Sequence, residues 1–286
     1  MTRYLKALIR NILPNSIFNF LKRIQRIIVF NGSGPYSLDE HVSLRYVNQS
    51  LHAEKFFVDI GAQDGVLGSQ TLFLAKKNWS GIAIEADKKM FDELNYFYKN
   101  FKNISLLNKF VNPENICELL STNKTPVNFG FLNLDIDSFD FYILDALLEK
   151  FTPKIICVEI NELIPPPIRF AIVENDWEGV GDNFQGFSIE MISDICKKYG
   201  YKILELHFNN IFLSKDSEFE YQGLSISDIY KTGYLNQPLR REYFEWNNKY
   251  EHIYSLSEKE QLSFFKDLFK DRGGTYLLEV QKKPEK

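Results

Sequence analysis

Short runs of apolar residues alternate along the middle of the chain with longer segments whose apolar residues recur at helical spacing. Continuous apolar runs are typical of parallel strands buried on both faces of a sheet, and the longer segments are typical of amphipathic helices. The alternation predicts an α/β protein with a Rossmann-like, doubly wound and mostly parallel sheet of seven strands. We predict strands at 56–60, 81–85, 104–108, 129–134, 154–160, 201–206 and 211–213, with helices at 67–77, 88–100, from Pro113 onward, near 141–150, and at 188–199 before Gly200.

One long segment, residues 162–187, lacks either period. An aperiodic connection of this length inside a compact domain is usually functional, so we predict a lid, stiffened at its start by the prolines at 165–167. Trp177, Phe184 and Phe187 would either cover an acceptor molecule or simply anchor the loop.

The two ends of the chain differ from its middle. Residues 1–30 carry six basic side chains and no acidic one, so with a formal net charge of −4 the rest of the chain sums to −10. This composition predicts a pair of basic amphipathic helices interrupted at Pro14, followed by a linker at 31–37. We therefore divide the chain into a basic helical arm (1–35), a central domain (36–215) and a C-terminal extension (216–286) that is mostly helical and ends in a short strand.

The basic arm has two readings. It is either a peripheral contact with an anionic membrane through residues 1–30, or a helical arm packed on the domain or on a second subunit of a homo-oligomer. Its longest apolar run is too short to span a bilayer, and the pattern of a secretory signal is missing.

The remaining composition excludes several classes of function. The three cysteines have no paired spacing, which argues against a disulfide framework and favours a reducing, cytoplasmic setting. The four histidines form no zinc-like pattern with them. The acidic net charge argues against a nucleic-acid partner.

The first predicted strand and its turn read FFVDIGAQDG, with glycines at 61 and 65. Ligands of open α/β sheets bind beyond the carboxyl ends of the strands, where glycines let the backbone approach closely. The spacing is not the GxGxxG of dinucleotide sites. Asp59 and Asp64 would repel a pyrophosphate and would suit a cationic cofactor, such as S-adenosylmethionine. Glu85, at the end of the second strand, could accept hydrogen bonds from both ribose hydroxyls.

The stretch FVDIGAQDGVLGSQTLFLAKKNWSGIAIEADKKMFDEL resembles the FkbM-type S-adenosylmethionine-dependent methyltransferases, and the resemblance extends over about residues 55–214. Asn78 stands where the family usually has a glycine before its tryptophan, here Trp79. The resemblance implies a class I methyltransferase fold and a sugar or surface-polysaccharide precursor as acceptor. It also implies contacts with the cofactor at Asp59, Gly61, Asp64, Gly65 and Glu85, and we further predict cofactor contacts at Ala62, Ala86 and Asp135.

A second group of polar residues follows the fourth and fifth strands. Asp135 and Asp137 are two positions apart, as are Glu159 and Asn161, and such pairs share one face of a strand. Clustered carboxylates have raised pKa values and can act as bases, and Asp135, Asp137 and Glu159 could equally hold a divalent cation such as Mg²⁺. Alternatively, Asp137 or Ser138 caps the following helix. His207 follows a later strand toward the same rim and is a further catalytic candidate.

These features predict an O-methyltransferase that transfers a methyl group to a hydroxyl of a small polar acceptor, with Asp137 or Glu159 as the base. Two alternatives remain at this point. The first is a non-catalytic scaffold that keeps the fold, against which the acidic residues argue. The second is a nicotinamide-dependent oxidoreductase, against which the missing GxGxxG argues.

Overall fold

The computed structural model describes residues 15–50, 53–173, 183–221, 223–272 and 276–281. Its strands are β1 (Phe56–Ile60), β2 (Ser80–Glu85), β3 (Ile104–Asn108), β4 (Phe131–Leu134), β5 (Ile155–Glu159), β6 (Ile168–Ile172), β7 (Lys202–His207), β8 (Asn210–Ser214) and β9 (Tyr276–Val280). Its α-helices are α1 (Asn15–Asn31), α2 (Glu40–Gln49), α3 (Leu72–Lys76), α4 (Lys88–Tyr98), α5 (Ile116–Thr122), α6 (Asp140–Leu148), α7 (Ile192–Tyr199), α8 (Ile226–Tyr230), α9 (Arg240–Tyr243) and α10 (Glu258–Leu268). A π-helix at Lys231–Leu235 and 3₁₀ helices at Ile189–Met191, Glu245–Ser255 and Lys270–Arg272 complete the described elements.

Seven strands form the main sheet in the order β3-β2-β1-β4-β5-β8-β7. The pairs from β3 to β5 are parallel, and β8 is inserted antiparallel between β5 and β7. The order changes direction between β1 and β4, which opens a crevice at the carboxyl ends of the parallel strands. The predicted fold class, a seven-stranded and mostly parallel Rossmann-like sheet, is confirmed.

Helices cover both faces of this sheet. On one face, Val58 and Ile84 belong to a core cluster that also contains residues of α5, α6 and α7. On the other face, Phe57 and Ala83 pack with residues of α2, α3 and α4. Because alternate strand residues point to opposite faces, the consecutive apolar residues Phe57–Val58 of β1 and Ala83–Ile84 of β2 bury both faces of the sheet.

The helix predicted at 67–77 is much shorter, since α3 begins only at Leu72. Side-chain oxygens hold the preceding segment in turns: Asp64 accepts from the backbone N–H groups of Val66 and Leu67, and Ser69 accepts from that of Leu72. Such side-chain bonds to nearby backbone compete with helix formation. The sequence reasoning also missed α2, which lies between the predicted linker and β1.

The predicted lid is in part a strand. Within 162–187, β6 pairs antiparallel with the C-terminal strand β9, and together they form a separate two-stranded sheet. Phe184 is buried in the core cluster beneath this sheet, and Phe187 is buried in the main core. Both aromatic residues therefore anchor the segment, while Trp177 lies outside the described residues. The lid prediction missed β6 because the partner strand is more than 100 residues away.

The C-terminal extension ends in the predicted short strand, β9. Its helices pack on the same small sheet, since Ile253, Phe265 and Phe269 share a core cluster with Phe170 of β6. The domain boundaries at 35 and 215 stay predictions, because these contacts do not by themselves divide the chain.

The N-terminal helix α1 confirms helical structure in part of the predicted basic arm, and the interruption at Pro14 falls outside the described residues. Phe30, near its C-terminal end, packs against Phe97 and Phe101 with ring centroids 5.2 and 6.1 Å apart. Among the helices that the structure describes, none has both the length and the hydrophobicity to span a bilayer.

Candidate active site

A cavity of about 530 Å³ opens at the carboxyl ends of β1, β2, β3 and β4, where the strand order changes direction. This volume lies within the usual range of small-molecule sites. Its lining combines apolar side chains, among them Met90, Val111 and Phe139, with a few polar ones. Of the predicted cofactor contacts, the cavity is lined by Gly61, Glu85, Ala86 and Asp135.

Gly61 follows β1 directly and has a φ of +88°. A Cβ atom added there would lie 1.8 Å from the backbone carbonyl oxygen of Asp135. The backbones at the ends of β1 and β4 therefore approach so closely that no side chain fits between them. Only glycine permits both the left-handed backbone and this approach. The turn after β1 is thereby held flat against β4, which leaves the space above it open as part of the cavity.

Glu85 ends β2 with both of its carboxylate oxygens occupied by backbone donors. Oε2 accepts from the N–H of Gln63 at 2.7 Å, and Oε1 accepts from that of Asp87 at 2.7 Å. Each carboxylate oxygen has two lone pairs, so a second acceptor position on each remains for a ligand in the cavity. The two backbone bonds fix the carboxylate in place, which is the condition for a bidentate grip on two neighbouring hydroxyls.

Asp59 is buried and points to the α2 side of the sheet, outside the lining of the cavity. It accepts from Thr71 Oγ1 at 2.6 Å and from Asn133 Nδ2 at 2.9 Å. Burial raises the pKa of Asp59 to about 6, although these two hydrogen bonds oppose the rise. In this structure Asp59 joins β1 to β4 and to the N-terminal end of α3.

Asp64 also lies outside the lining of the cavity. Its Oδ2 accepts from Nε of Arg26 at 2.6 Å, and both side chains are nearly inaccessible to solvent. Ala62 and Gly65 complete the same turn, and Gly65 packs against Leu94 and Tyr98 so tightly that a Cβ would lie 2.5 Å from Leu94. The turn after β1 thus packs against α4 through Gly65 and is bound to α1 through the ion pair of Asp64 with Arg26.

The loop after β4 is organised by Asp140, the first residue of α6. Its Oδ1 accepts from the N–H of Ile136 at 2.9 Å, and its Oδ2 accepts from that of Ser138 at 2.8 Å. Between these two residues, Asp137 takes a left-handed φ of +60°. Neither Asp137 nor Ser138 is the N-cap of α6; Phe139 occupies that position, without a side-chain capping bond. A non-glycine residue held in this region stores strain, as is common at functional sites.

Asp135, Asp137 and Glu159 come together as predicted. Each offers a carboxylate oxygen that lies within 4.8 Å of the other two. Burial, followed by the charge of Asp137, raises the pKa of Asp135 to about 7. Burial also raises the pKa of Asp137, and burial together with the two aspartates raises that of Glu159 well above its usual value. Closely spaced carboxylates of this kind either share protons or neutralise their charge on a cation.

The three carboxylates match a hard divalent cation in donor type and lie close enough together to converge on one ion. Mg²⁺ binds oxygen ligands at about 2.0–2.1 Å in an octahedron, so adjacent ligands lie roughly 3 Å apart and opposite ones roughly 4 Å apart. Asp135, Asp137 and Glu159 could therefore serve as three of its ligands.

Asn161 does not join this cluster. Its Nδ2 donates to the carbonyl oxygens of Asn183 and Gln185 at 2.8 and 3.0 Å, and its Oδ1 accepts from the N–H of Leu163 at 3.2 Å. Its buried amide is thus engaged in anchoring the segment that follows β6. The i, i+2 spacing from Glu159 does not place it beside that residue, because β5 ends at Glu159.

His207 lies at the same edge of the sheet, two strands from Glu159. Glu159 is opposite Asn210 on β8, which is opposite His207 on β7. With about 4.8 Å between strands, His207 and Glu159 are about 10 Å apart across the sheet. His207 is hydrogen-bonded to the buried carboxylate of Asp39 and packs edge-on against His41, with ring centroids 4.9 Å apart.

Sequence reasoning missed Asp39 and the two asparagines of the β7–β8 turn. Asn210 Nδ2 donates to Asp39 at 2.9 Å, and Asn209 Nδ2 donates to Glu159. A polar network thus runs from Glu159 through this turn to Asp39 and His207. The adjacent Asn-Asn after a strand that ends in histidine was the one available signal for it.

Neither a protein-family model nor a curated protein sequence matches the chain. Among solved structures, it is similar to an O-methyltransferase from Bacillus cereus in complex with S-adenosylhomocysteine, at 12% identity and a TM-score of 0.42 over 73% of this chain and 96% of that one. It is also similar to an aminopentose methyltransferase of calicheamicin biosynthesis from Micromonospora echinaspora with S-adenosylmethionine bound, at 11% identity and a TM-score of 0.41 over 71% and 98% of the two chains.

A third similar structure is the N-terminal domain of EvdMO1, solved with S-adenosylhomocysteine and D-fucose, at 12% identity and a TM-score of 0.40 over 63% and 83% of the two chains. At such identities and TM-scores, the function of this chain has to be argued from its own site.

Proposed function

We propose that this protein is an S-adenosylmethionine-dependent O-methyltransferase whose acceptor is a hydroxyl of a small polar molecule, such as a sugar or a surface-polysaccharide precursor. The observation that carries the proposal is the charge of the cavity. Its lining includes four carboxylates, Glu85, Asp87, Asp135 and Asp137, and one lysine, Lys109. Such a lining attracts a cofactor with ammonium and sulfonium groups and repels the pyrophosphate of a nicotinamide dinucleotide.

The cofactor assignment also uses the geometry of individual residues. Glu85, fixed by two backbone donors, is placed to hold the ribose hydroxyls. The apolar lining beside it, including Ala86, Met90 and Val111, suits an adenine ring. The flat turn at Gly61 leaves room for the rest of the molecule near Asp135.

S-adenosylmethionine, when bound, supplies a methyl group on a sulfonium that is already a good leaving group. The protein therefore has to align the acceptor and receive its hydroxyl proton. Asp137 or Glu159 would take that proton, because a raised pKa gives a carboxylate more basicity at neutral pH. Asn209 orients Glu159 by donating to it.

The polar network beyond Glu159 suits an acceptor with several hydroxyls. His207, which is hydrogen-bonded to the buried Asp39, lies on the same edge of the sheet as the carboxylate cluster and could bind such a group. The sugar class follows from the sequence resemblance, and these residues are compatible with it. A divalent cation bound by the three carboxylates would lower the pKa of the hydroxyl instead; treatment with EDTA followed by Mg²⁺ addition distinguishes the two roles.

Calorimetric titration tests the cofactor. We expect S-adenosylmethionine and S-adenosylhomocysteine to bind and NAD not to bind. Glu85→Gln should weaken binding by about tenfold or more, since the amide cannot accept from both backbone donors and loses the charge. Glu54→Gln is the matched control: this exposed residue precedes the opposite end of β1. Binding of NAD alone, or equal affinities of the two variants, would contradict the proposal.

A further inference from the structure

Helix α1 presents an apolar stripe to solvent. The exposed large apolar side chains of the described part of this helix are Ile17, Phe20, Leu21, Ile24, Ile27 and Ile28. Their spacing of three and four residues places them on one side of the helix. Phe20 and Ile28 are 62% and 67% exposed. A contiguous stripe of this kind, unlike a single exposed apolar residue, indicates an interaction surface.

The opposite side of α1 attaches the helix to the body of the protein. Arg26 is paired with Asp64, Phe30 packs on Phe97, and Lys76 Nζ donates to the carbonyl oxygen of Gly32 at 2.9 Å. Arg26 is two residues from both Ile24 and Ile28. At 3.6 residues per turn, this spacing places it on the side of the helix opposite the stripe. The attachment therefore fixes the orientation in which the stripe faces away from the sheet.

Charge distinguishes between the surfaces that could cover the stripe. Residues 1–30 carry six basic side chains and no acidic one, while the rest of the chain sums to −10. A second α1, or residues 1–14 with their own three basic side chains, would bring like charges together. An anionic lipid surface is both apolar beneath its headgroups and opposite in charge, and a basic amphipathic helix binds it in the plane of the interface.

We propose that α1 lies flat on an anionic phospholipid membrane, with this stripe inserted below the headgroups and with basic side chains of residues 1–30 other than the buried Arg26 attracted to them. The surface is not part of the cofactor site. However, Asp64 belongs to the turn after β1, so the contact between Arg26 and Asp64 fixes the catalytic domain relative to the membrane. The enzyme thereby meets its acceptor at the membrane surface.

Vesicle sedimentation with the full chain tests the proposal. The vesicles contain either phosphatidylcholine alone or phosphatidylcholine with phosphatidylglycerol. The stripe variant carries Phe20→Ser and Ile28→Ser, and the matched control carries Val127→Ser and Val173→Ser, which remove exposed apolar side chains from the body. Urea unfolding checks that both variants are folded and keeps this test independent of the proposed activity.

We expect the wild-type protein to bind the anionic vesicles, to bind phosphatidylcholine vesicles much more weakly, and to be released by salt. The stripe variant should bind the anionic vesicles at least about tenfold more weakly, and the control variant as tightly as wild type. Absence of wild-type binding to the anionic vesicles overturns the proposal. So does equal binding by the stripe and control variants. A wild-type dimer that only the stripe variant converts to a monomer, without loss of vesicle binding, would assign the stripe to a second copy instead.

Discussion

The contact between Gly61 and the end of β4 gives the sharpest test of the site's geometry. Gly61→Ala introduces two separate costs. A non-glycine residue at a φ of +88° costs about 1–2 kcal/mol. The new Cβ would also lie 1.8 Å from the carbonyl oxygen of Asp135, so the strand ends must move apart. Relieving such a backbone clash adds roughly 1–3 kcal/mol, and we expect a total loss of about 2–5 kcal/mol in the free energy of unfolding.

Gly68→Ala is the matched control, because it carries the first cost without the second. Its φ is +81°, and a Cβ there meets no atom within 4 Å. Urea unfolding should therefore give a loss of only about 1–2 kcal/mol for Gly68→Ala. The cofactor titration should separate the variants further, since only Gly61 lines the cavity. If the two variants unfold at the same urea concentration and bind S-adenosylmethionine equally, the close approach of β1 and β4 at this site is refuted.

Three further predictions concern charged groups. Burial among carboxylates raises the pKa of Asp135 to about 7 in the folded state, so its contribution to stability is complete below about pH 4 and is lost as the pH rises through about 7. Urea midpoints should fall over this interval, and less so in Asp135→Asn; an equal fall in both proteins would contradict the raised pKa. Asp137→Asn or Glu159→Gln should lower turnover by about 10²–10⁴-fold, as expected for loss of a base, and Glu159→Gln, which lies outside the cavity lining, should keep cofactor affinity within about threefold of wild type; wild-type turnover in both would refute the base assignment. Arg26→Met should lower the free energy of unfolding by about 3 kcal/mol because it leaves Asp64 buried without its partner, and Arg26→Met with Asp64→Asn should recover at least about 1 kcal/mol. A double variant no more stable than the single one would show that the ion pair contributes little.

The cavity was the part of the site best predicted from sequence. Gly61, Glu85 and Asp135 all follow or end parallel strands, and the carboxyl ends of such strands meet at one edge whatever the details of packing. Two of the other predicted cofactor contacts, Asp59 and Asp64, lie outside the lining of the cavity and are hydrogen-bonded to other parts of the protein. Thr71 and Asn133 hydrogen-bond to Asp59, and Arg26 pairs with Asp64.

Distance along the chain explains why these partners were not predicted. Arg26 is 38 residues from Asp64, and Asn133 is 74 residues from Asp59. A carboxylate accepts from whichever donor the fold brings within about 3 Å, and local pattern carries no information about that choice. Asp39 and His207, which are 168 residues apart, are a further example.

By itself, the sequence determined the alternation of strands and helices, the edge of the sheet where the site lies, and the residue types available there. These follow from hydrophobic period and from turn-forming glycines, which act over a few residues. The tertiary structure alone decided which acids face the cavity and which are paired elsewhere. It also decided that β6 pairs with β9 and that the apolar stripe of α1 faces solvent. Each of these depends on contacts between distant segments, and their energies are set only once the chain has packed.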